Sequence, residues 1–231
     1  MVRAALLLLA LLGGAGPAVA CRLALALGFD VSSSVDAADY AIQRDGIVAA
    51  LRAPEIRRAF LAPGEPVALA IFEWGGRRRQ ALVVDWLVVR EAADLDRVAE
   101  TLRLRGDLRP WEPTAIGAAL SYARELFAAA PSCAARTLDL SGDGRNNDWL
   151  APARVYARED FGDILVNGLA IGGHEADIAA YYAREVIRGA GAFVVTARTH
   201  ADFPPAIRRK LERELTGPVF GARAPAPAAR G

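Results

Sequence analysis

Short apolar runs alternate with helix-like segments along most of this chain, and that alternation restricts its fold more than any other feature. Leu23 to Phe29 reads as a buried strand, and Asp36 to Leu51 as a helix that Ser34 or Asp36 can cap. Val67 to Trp74 is a second strand. Gly75-Gly76 and Arg77 to Arg79 make a solvated turn, and Ala81 to Val89 returns as a third strand, so short a link implying an antiparallel hairpin. Glu91 to Leu104 and Thr114 to Ala130 read as helices, Arg136 to Leu140 as a strand, Pro152 to Asp160 as a helix and Ile164 to Ile171 as a strand. Ala176 to Arg188 is a helix with one of Tyr181 and Tyr182 in the core, Phe193 to Ala197 a strand and Pro205 to Leu215 a last helix. This order predicts an α/β fold: a doubly wound, mostly parallel six-stranded sheet with one antiparallel edge strand and helices on both faces. No internal repeat is visible.

In such sheets ligands bind beyond the carboxyl ends of the strands, where strand order reverses. Two loops at carboxyl ends carry chemistry. Asp30-Val31-Ser32-Ser33-Ser34 follows the first strand as a D-x-S-x-S pattern, with one carboxylate and two hydroxyls in alternate positions. These are hard oxygen donors suited to a hard divalent cation such as Mg²⁺. Alone the pattern is weak, because Ser and Asp are also common helix caps and turn residues. The second loop, Ser141-Gly142-Asp143-Gly144, follows the Arg136–Leu140 strand. Together with Asp139 it mimics the first half of an EF-hand calcium loop, but Asn146 stands where an apolar residue is expected and Leu150 where the bidentate Glu belongs. Asp139 is therefore expected within the sheet or at its edge.

The first twenty residues read as a secretory signal. Arg3 supplies the positive region, Ala4 to Leu12 the short apolar stretch, and Ala18-Val19-Ala20 the small-residue cleavage pattern. The apolar stretch is too short to span a bilayer as a mature helix, and no later segment is long enough either. The mature protein is thus expected in the periplasm or outside the cell, as one domain over residues 21–217 with an Ala/Pro-rich, disordered tail over 218–231. The 231-residue chain has 28 basic and 27 acidic side chains, and the leader takes Arg3 with it, so the balance gives no reason to expect nucleic acid or an acidic membrane surface. A cysteine directly after the cleavage site allows a lipid anchor at Cys21, although Ala18 stands where a lipobox usually has Leu. The other reading is a disulfide between Cys21 and Cys133, the only two cysteines, in an oxidising compartment.

With the motifs in view, the chain resembles the von Willebrand factor A-type domain, and more narrowly an uncharacterised bacterial branch of exported proteins with that fold. The resemblance covers roughly residues 22 to 216. It rests on Asp30, Ser32 and Ser34 in the first loop, on Thr114-Ala115-Ile116-Gly117-Ala118-Ala119-Leu120 for the family's T-x-x-G-x-A-L helix start, and on Asp143-Gly144 after the fourth strand. It implies a metal-ion-dependent adhesion site built from three loops. In the family Ser32 and Ser34 would be direct ligands, Thr114 direct or water-linked, and Asp30 and Asp143 often water-linked. A partner's Asp or Glu would complete the octahedron around Mg²⁺, with Mn²⁺ or Ca²⁺ as other candidates. The implied partner is a protein offering a carboxylate. Oligomeric state is not readable.

Other residues have two readings each. Glu73 and Trp74 end the second strand on the expected rim and either shape the ligand face or pack at the strand end. Trp111, before Thr114, either fixes its loop or touches a partner. Arg145, Asn146 and Asn147 either meet a partner or hold the loop. His174 lines the ligand surface or is simply exposed, and His200 has no visible partner; two histidines so placed do not suggest zinc. The chain lacks a G-x-S-x-G elbow and a P-loop, which points to binding rather than catalysis. The alternatives are a hydrolase holding a metal with Asp30, Asp139 and Asp143, and a structural domain with a vestigial site.

Overall fold

The computed structural model describes residues 21–62, 66–106 and 112–217. The leader, the tail and Trp111 lie outside the described residues. Six strands form one sheet: β1 (Cys21–Asp30), β2 (Val67–Trp74), β3 (Gln80–Val89), β4 (Cys133–Gly142), β5 (Leu165–Ile171) and β6 (Val194–Ala197). Their order is β3-β2-β1-β4-β5-β6. Only β2 and β3 pair antiparallel; the other neighbours are parallel. The chain builds outward from β1 to β2 and β3, then returns to β4 on the other side of β1. Order therefore reverses between β1 and β4, where the two motif-bearing loops emerge side by side.

β1 and β2 are apolar along most of their length because helices cover both faces. On one face Leu25, Leu27 and Phe29 of β1 join a core with Ile47 and Leu51 of α1 (Ala37–Arg52), Val98 of α3 (Ala92–Arg103) and Ile207 of α7 (Phe203–Thr216). On the other, Ala24 and Ala26 meet Ile116 and Leu120 of α4 (Ile116–Ala128), Val155 of α5 (Pro152–Arg158) and Ile178 of α6 (Ile178–Tyr181). Each fully buried Leu or Phe contributes roughly 1.5–3 kcal/mol. Alanine suits the second face, where helices lie close. At Gly28 even a methyl is excluded: a Cβ there would fall 2.4 Å from Phe72 Cζ.

The strands and the hairpin follow the expected pattern, with ends displaced by at most three residues. Three local features differ. Residues Pro54–Phe60 form a helix, α2, that hydrophobic periodicity over so short a stretch does not announce. Pro54 opens it, where a missing N–H costs nothing. The expected helix from Ala176 to Arg188 is only one turn of α-helix, α6, followed by a wider π-turn over Tyr182–Val186. The break puts Tyr182 wholly inside while Tyr181 stays half-buried, and Tyr156 Oη donates to Val186 O at 2.5 Å, satisfying one loosened carbonyl. Third, β4 begins at Cys133, earlier than expected, in direct register with Cys21 of β1, and the two form a disulfide. A Cys21 sulfur bonded to Cys133 is not free for a lipid thioether, so the anchor reading is set aside. Among the described residues no helix is long and apolar enough to cross a membrane.

Candidate functional site

Asp30 is the last residue of β1, and its carboxylate folds back on its own loop. Oδ1 accepts Ser32 N–H at 2.7 Å, a local turn that Asp forms readily. Asp36 Oδ1 accepts Ala38 N–H and Asp39 N–H at 2.8 Å each, so Asp36 caps α1 and Ser34 is left for the site. Ser34 Oγ then donates to Asp143 Oδ1 at 2.5 Å and lies 3.1 Å from Ser32 Oγ. Thr114 Oγ1 donates to Ser32 Oγ at 3.2 Å. The structure thus brings Asp30, Ser32, Ser34, Thr114 and Asp143 together from three loops. Asp30, Ser32, Thr114 and Asp143 are buried.

The third loop is clamped by its asparagines. Asn147 Oδ1 accepts Thr114 N–H at 2.8 Å and Asn147 N–H donates to Thr114 O at 2.9 Å. Asn146 Oδ1 accepts Gly117 N–H at 3.0 Å, and its Nδ2 donates to Asp148 O. Asn146 therefore holds the loop that presents Asp143 and Thr114, with its amide turned inward from the rim. Arg145 is exposed, its Nε 3.1 Å from Glu175 Oε2 and its guanidinium 5.5 Å from the Tyr181 ring centre. His174 is exposed and borders an opening of about 360 Å³ shared with Ser34, Asp39, Asp143 and His200.

Two expectations are corrected. Glu73 does not reach the rim: it is buried, accepting Tyr40 Oη–H at 2.7 Å and pairing with Arg105 at 3.1 Å. Strand alternation places Glu73 on the face of Leu69 and Ile71, under α1. Trp74, its neighbour, is wholly buried on the opposite face, which is the packing alternative. His200 does have partners. It sits in a 3₁₀ turn (His200–Asp202) ahead of α7, one-tenth exposed, with Nδ1 3.4 Å from Asp39 Oδ1 and Nε2 3.9 Å from Asp143 Oδ2. A signal existed for it: the turn follows β6, whose parallel direction sends its loop to the same end of the sheet as Asp30 and Asp143.

Asp139 lies apart from this cluster. It faces α7, where the fully buried Lys210 ammonium stands 2.8 Å from Asp139 Oδ1 and 2.6 Å from Glu214 Oε1. A metal shared by Asp30, Asp139 and Asp143 therefore has no basis in the geometry. A separate cavity of about 310 Å³, lined by Leu23, Asn167, Phe193 and Glu214 among others, lies at the amino end of the strands, away from the hydroxyl cluster.

The electrostatics of the cluster are those of negative charge in want of a counter-charge. Burial, reinforced by the charge of Asp143, pushes the Asp30 carboxyl up to about 8 from an ordinary 3.8. Burial also raises Asp143, while the Ser34 hydrogen bond holds it down. Asp30 Oδ2 and Asp143 Oδ2 are buried without a hydrogen-bond partner among the described residues. Unpaired buried carboxylate oxygens are costly, and a divalent cation is the group that would satisfy both. No side chain fits at Gly142 beside Asp30: a Cβ there would fall 2.7 Å from Asp30 Oδ2 and 2.6 Å from Tyr182 Oη. The donor set, three hydroxyls and two carboxylates, fits a hard cation. It is not an acidic or histidine cage, and among the described residues no three His, Cys, Asp or Glu side chains are grouped as metal ligands.

This fold, with D-x-S-x-S at the switch point, is that of the von Willebrand factor A domain. The chain belongs to the family described as protein of unknown function (DUF1194), which it matches over residues 20–219. Among solved structures it resembles proximal thread matrix protein 1 from the mussel byssus, at a TM-score of 0.59 and 15% identity, covering 85% of this chain and 47% of that one. A second structure of that protein is described with a zinc-occupied MIDAS motif, at a TM-score of 0.59 and 13% identity, covering 85% of this chain and 48% of that one. The von Willebrand factor type A protein from Catenulispora acidiphila superimposes at 0.60 with 17% identity, over 84% of this chain and 43% of that one. The PilB minor pilin from Streptococcus sanguinis does so at 0.61 with 14% identity, over 86% and 64%. The chain spans about half the length of the first of these proteins. No curated protein sequence matches it.

Proposed function

We propose that this chain is an exported binding module that holds a Mg²⁺-type cation with Asp30, Ser32, Ser34, Thr114 and Asp143 and uses it to capture an acidic group of a protein partner. The observation that carries the reading is the convergence of three hydroxyls, from Ser32, Ser34 and Thr114, with two buried carboxylates, each of which has an Oδ2 without a hydrogen-bond partner among the described residues. With Asp30 and Asp143 acting through water, as the family resemblance implies, three neutral hydroxyls leave a divalent ion under-neutralised in its inner shell, so an outside carboxylate is a favoured further ligand. When bound, the cation supplies the positive charge that draws this acid. The protein's part is to set the hydroxyls, keep the carboxylates dry and hold the loops through Asn146 and Asn147. His174, which borders the opening, and the exposed Arg145, two residues after Asp143, would meet the partner. The zinc-occupied motif in the mussel protein supports a divalent ion at such a site, and the Cys21–Cys133 disulfide is consistent with export to an oxidising compartment.

The test is thermal melting of the mature protein with Mg²⁺, Mn²⁺, Ca²⁺ or chelator, for wild type and Asp30→Ala. A ligand that binds only the folded state stabilises it by about 2.7 kcal/mol at a hundredfold excess over Kd. Wild type is expected to melt higher with cation, and Asp30→Ala to ignore it. Failure of every cation to shift wild type would refute the cation site. A pull-down from envelope extract, with and without chelator, tests the partner.

A further inference from the structure

His200 belongs to none of the three motif loops, yet its ring ends at the cluster. Its side chain is nine-tenths buried, and Nε2 has no hydrogen-bond partner among the described residues. The atom it faces, Asp143 Oδ2, is also buried and unpartnered, 3.9 Å away. That separation is too long for a hydrogen bond, which would bring the atoms to about 3.0 Å. It does fit two donors on one ion: ligands at roughly 2.1 Å each from a shared metal lie at most about 4.2 Å apart. The other ring nitrogen is backed by a carboxylate, with Asp39 Oδ1 3.4 Å from Nδ1. A carboxylate behind one imidazole nitrogen places the proton there and leaves the lone pair of the other free for a metal. Asp39 is itself held in the first turn of α1, beside the Asp36 cap that leaves Ser34 for the site.

We propose that His200 Nε2 is a nitrogen ligand of the cation centre, oriented by Asp39, and that it turns the site's preference from Mg²⁺ toward borderline cations such as Mn²⁺ and Zn²⁺. This rests on the cation reading above. The chemistry follows from the donor type: imidazole suits zinc and later first-row metals, whereas Mg²⁺ favours oxygen and its own water. His174, exposed at the same opening, lacks a buried, carboxylate-backed geometry and is assigned no such part.

The experiment is calorimetric titration of the mature protein with Mg²⁺, Mn²⁺ and Zn²⁺, for wild type, His200→Ala, His200→Gln, Asp39→Asn and His174→Ala. Pulsed electron spin resonance of the Mn²⁺-loaded protein reads nitrogen coupling directly, and melting in chelator confirms that each variant is folded. Wild type is expected to show ¹⁴N coupling. His200→Ala and His200→Gln should lose it and bind Zn²⁺ more weakly by about tenfold or more, with Mg²⁺ changed by less than about threefold. Asp39→Asn should weaken Zn²⁺ by about tenfold with the coupling altered, which a merely structural role would not produce. His174→Ala should leave both readouts as in wild type. Cation binding without ¹⁴N coupling, or a Zn²⁺ to Mg²⁺ ratio unchanged in the His200 variants, overturns the proposal while the cation site stands. A preference lost in His174→Ala instead of the His200 variants overturns it as well. Failure of wild type to bind any cation overturns both readings.

Discussion

Ser34 Oγ donates to Asp143 Oδ1 at 2.5 Å, joining two loops that lie 109 residues apart in the chain. The bond fixes the donor pair and lowers the proton affinity of a buried carboxyl. Ser34→Ala would leave Asp143 Oδ1 without its donor inside the protein. Loss of one partner of a buried polar pair costs about 1–3 kcal/mol. The variant is expected to unfold at lower urea in chelator and, under the proposed function, to bind Mg²⁺ more weakly than wild type by about tenfold, since the proposed site would lose one of its donors. Equal Mg²⁺ isotherms for the two proteins would remove Ser34 from the site.

A buried triad supports the sheet from the other side. Lys210 is fully buried between Asp139 and Glu214, and Glu214 Oε1 also accepts Asn167 Nδ2–H at 2.8 Å. Lys210→Met keeps the length of the side chain but leaves two carboxylates enclosed without their cation. Breaking such a pair costs about 3–5 kcal/mol. Urea unfolding should show a loss of that size; a change under about 1 kcal/mol would mean that the triad is not held dry in solution.

The same triad predicts a pH dependence. Burial, opposed by the Lys210 charge, pushes the Asp139 carboxyl up to about 7, whereas its ordinary value is 3.8. Between those limits the folded protein binds more protons than the unfolded chain, so its stability falls as pH rises through the window and is greatest at the acidic end. In chelator the melting temperature of wild type should decline from about pH 5 to about pH 7.5. Asp30 acts in the same direction, so the Asp139 share is the difference between the slopes of wild type and Asp139→Asn. An Asp139→Asn slope as steep as wild type would assign the effect elsewhere.

The disulfide closes a long loop between neighbouring strands, joining Cys21 and Cys133 at a sequence separation of 112. Cross-links of this span stabilise a fold by roughly 2–5 kcal/mol. Cys133→Ser, or reduction of wild type, should lower the unfolding free energy by that amount without altering the far-ultraviolet dichroism at room temperature. Two reactive thiols in the non-reduced protein would contradict the pairing.

Much of the fold was legible because periodicity is a local signal: alternating apolar runs located all six strands and most helices. The short helix α2 and the α-to-π break at Tyr182 were not, since both depend on what the segment packs against. Glu73 shows the limit at a strand end. The sequence suggests a place on the rim, and only the Tyr40 hydroxyl and Arg105 guanidinium explain why its carboxylate stays buried under α1 instead. The choice of cap was equally open in the sequence. Ser34 and Asp36 have similar chemistry, and the backbone geometry that gives the α1 cap to Asp36 leaves Ser34 free to meet Asp143.

By itself the sequence determined the layered α/β architecture, the order of the elements and the three loops that carry Asp30, Ser32, Ser34, Thr114 and Asp143, because each is written in a short stretch of chain. Tertiary structure alone decided that Glu73 turns inward, that Asn146 clamps the loop, that Asp139 pairs with Lys210 and that His200 faces Asp143. These relationships join residues far apart in sequence through the parallel sheet. Which side chains share a buried space is set by packing across strands, and no local pattern encodes it.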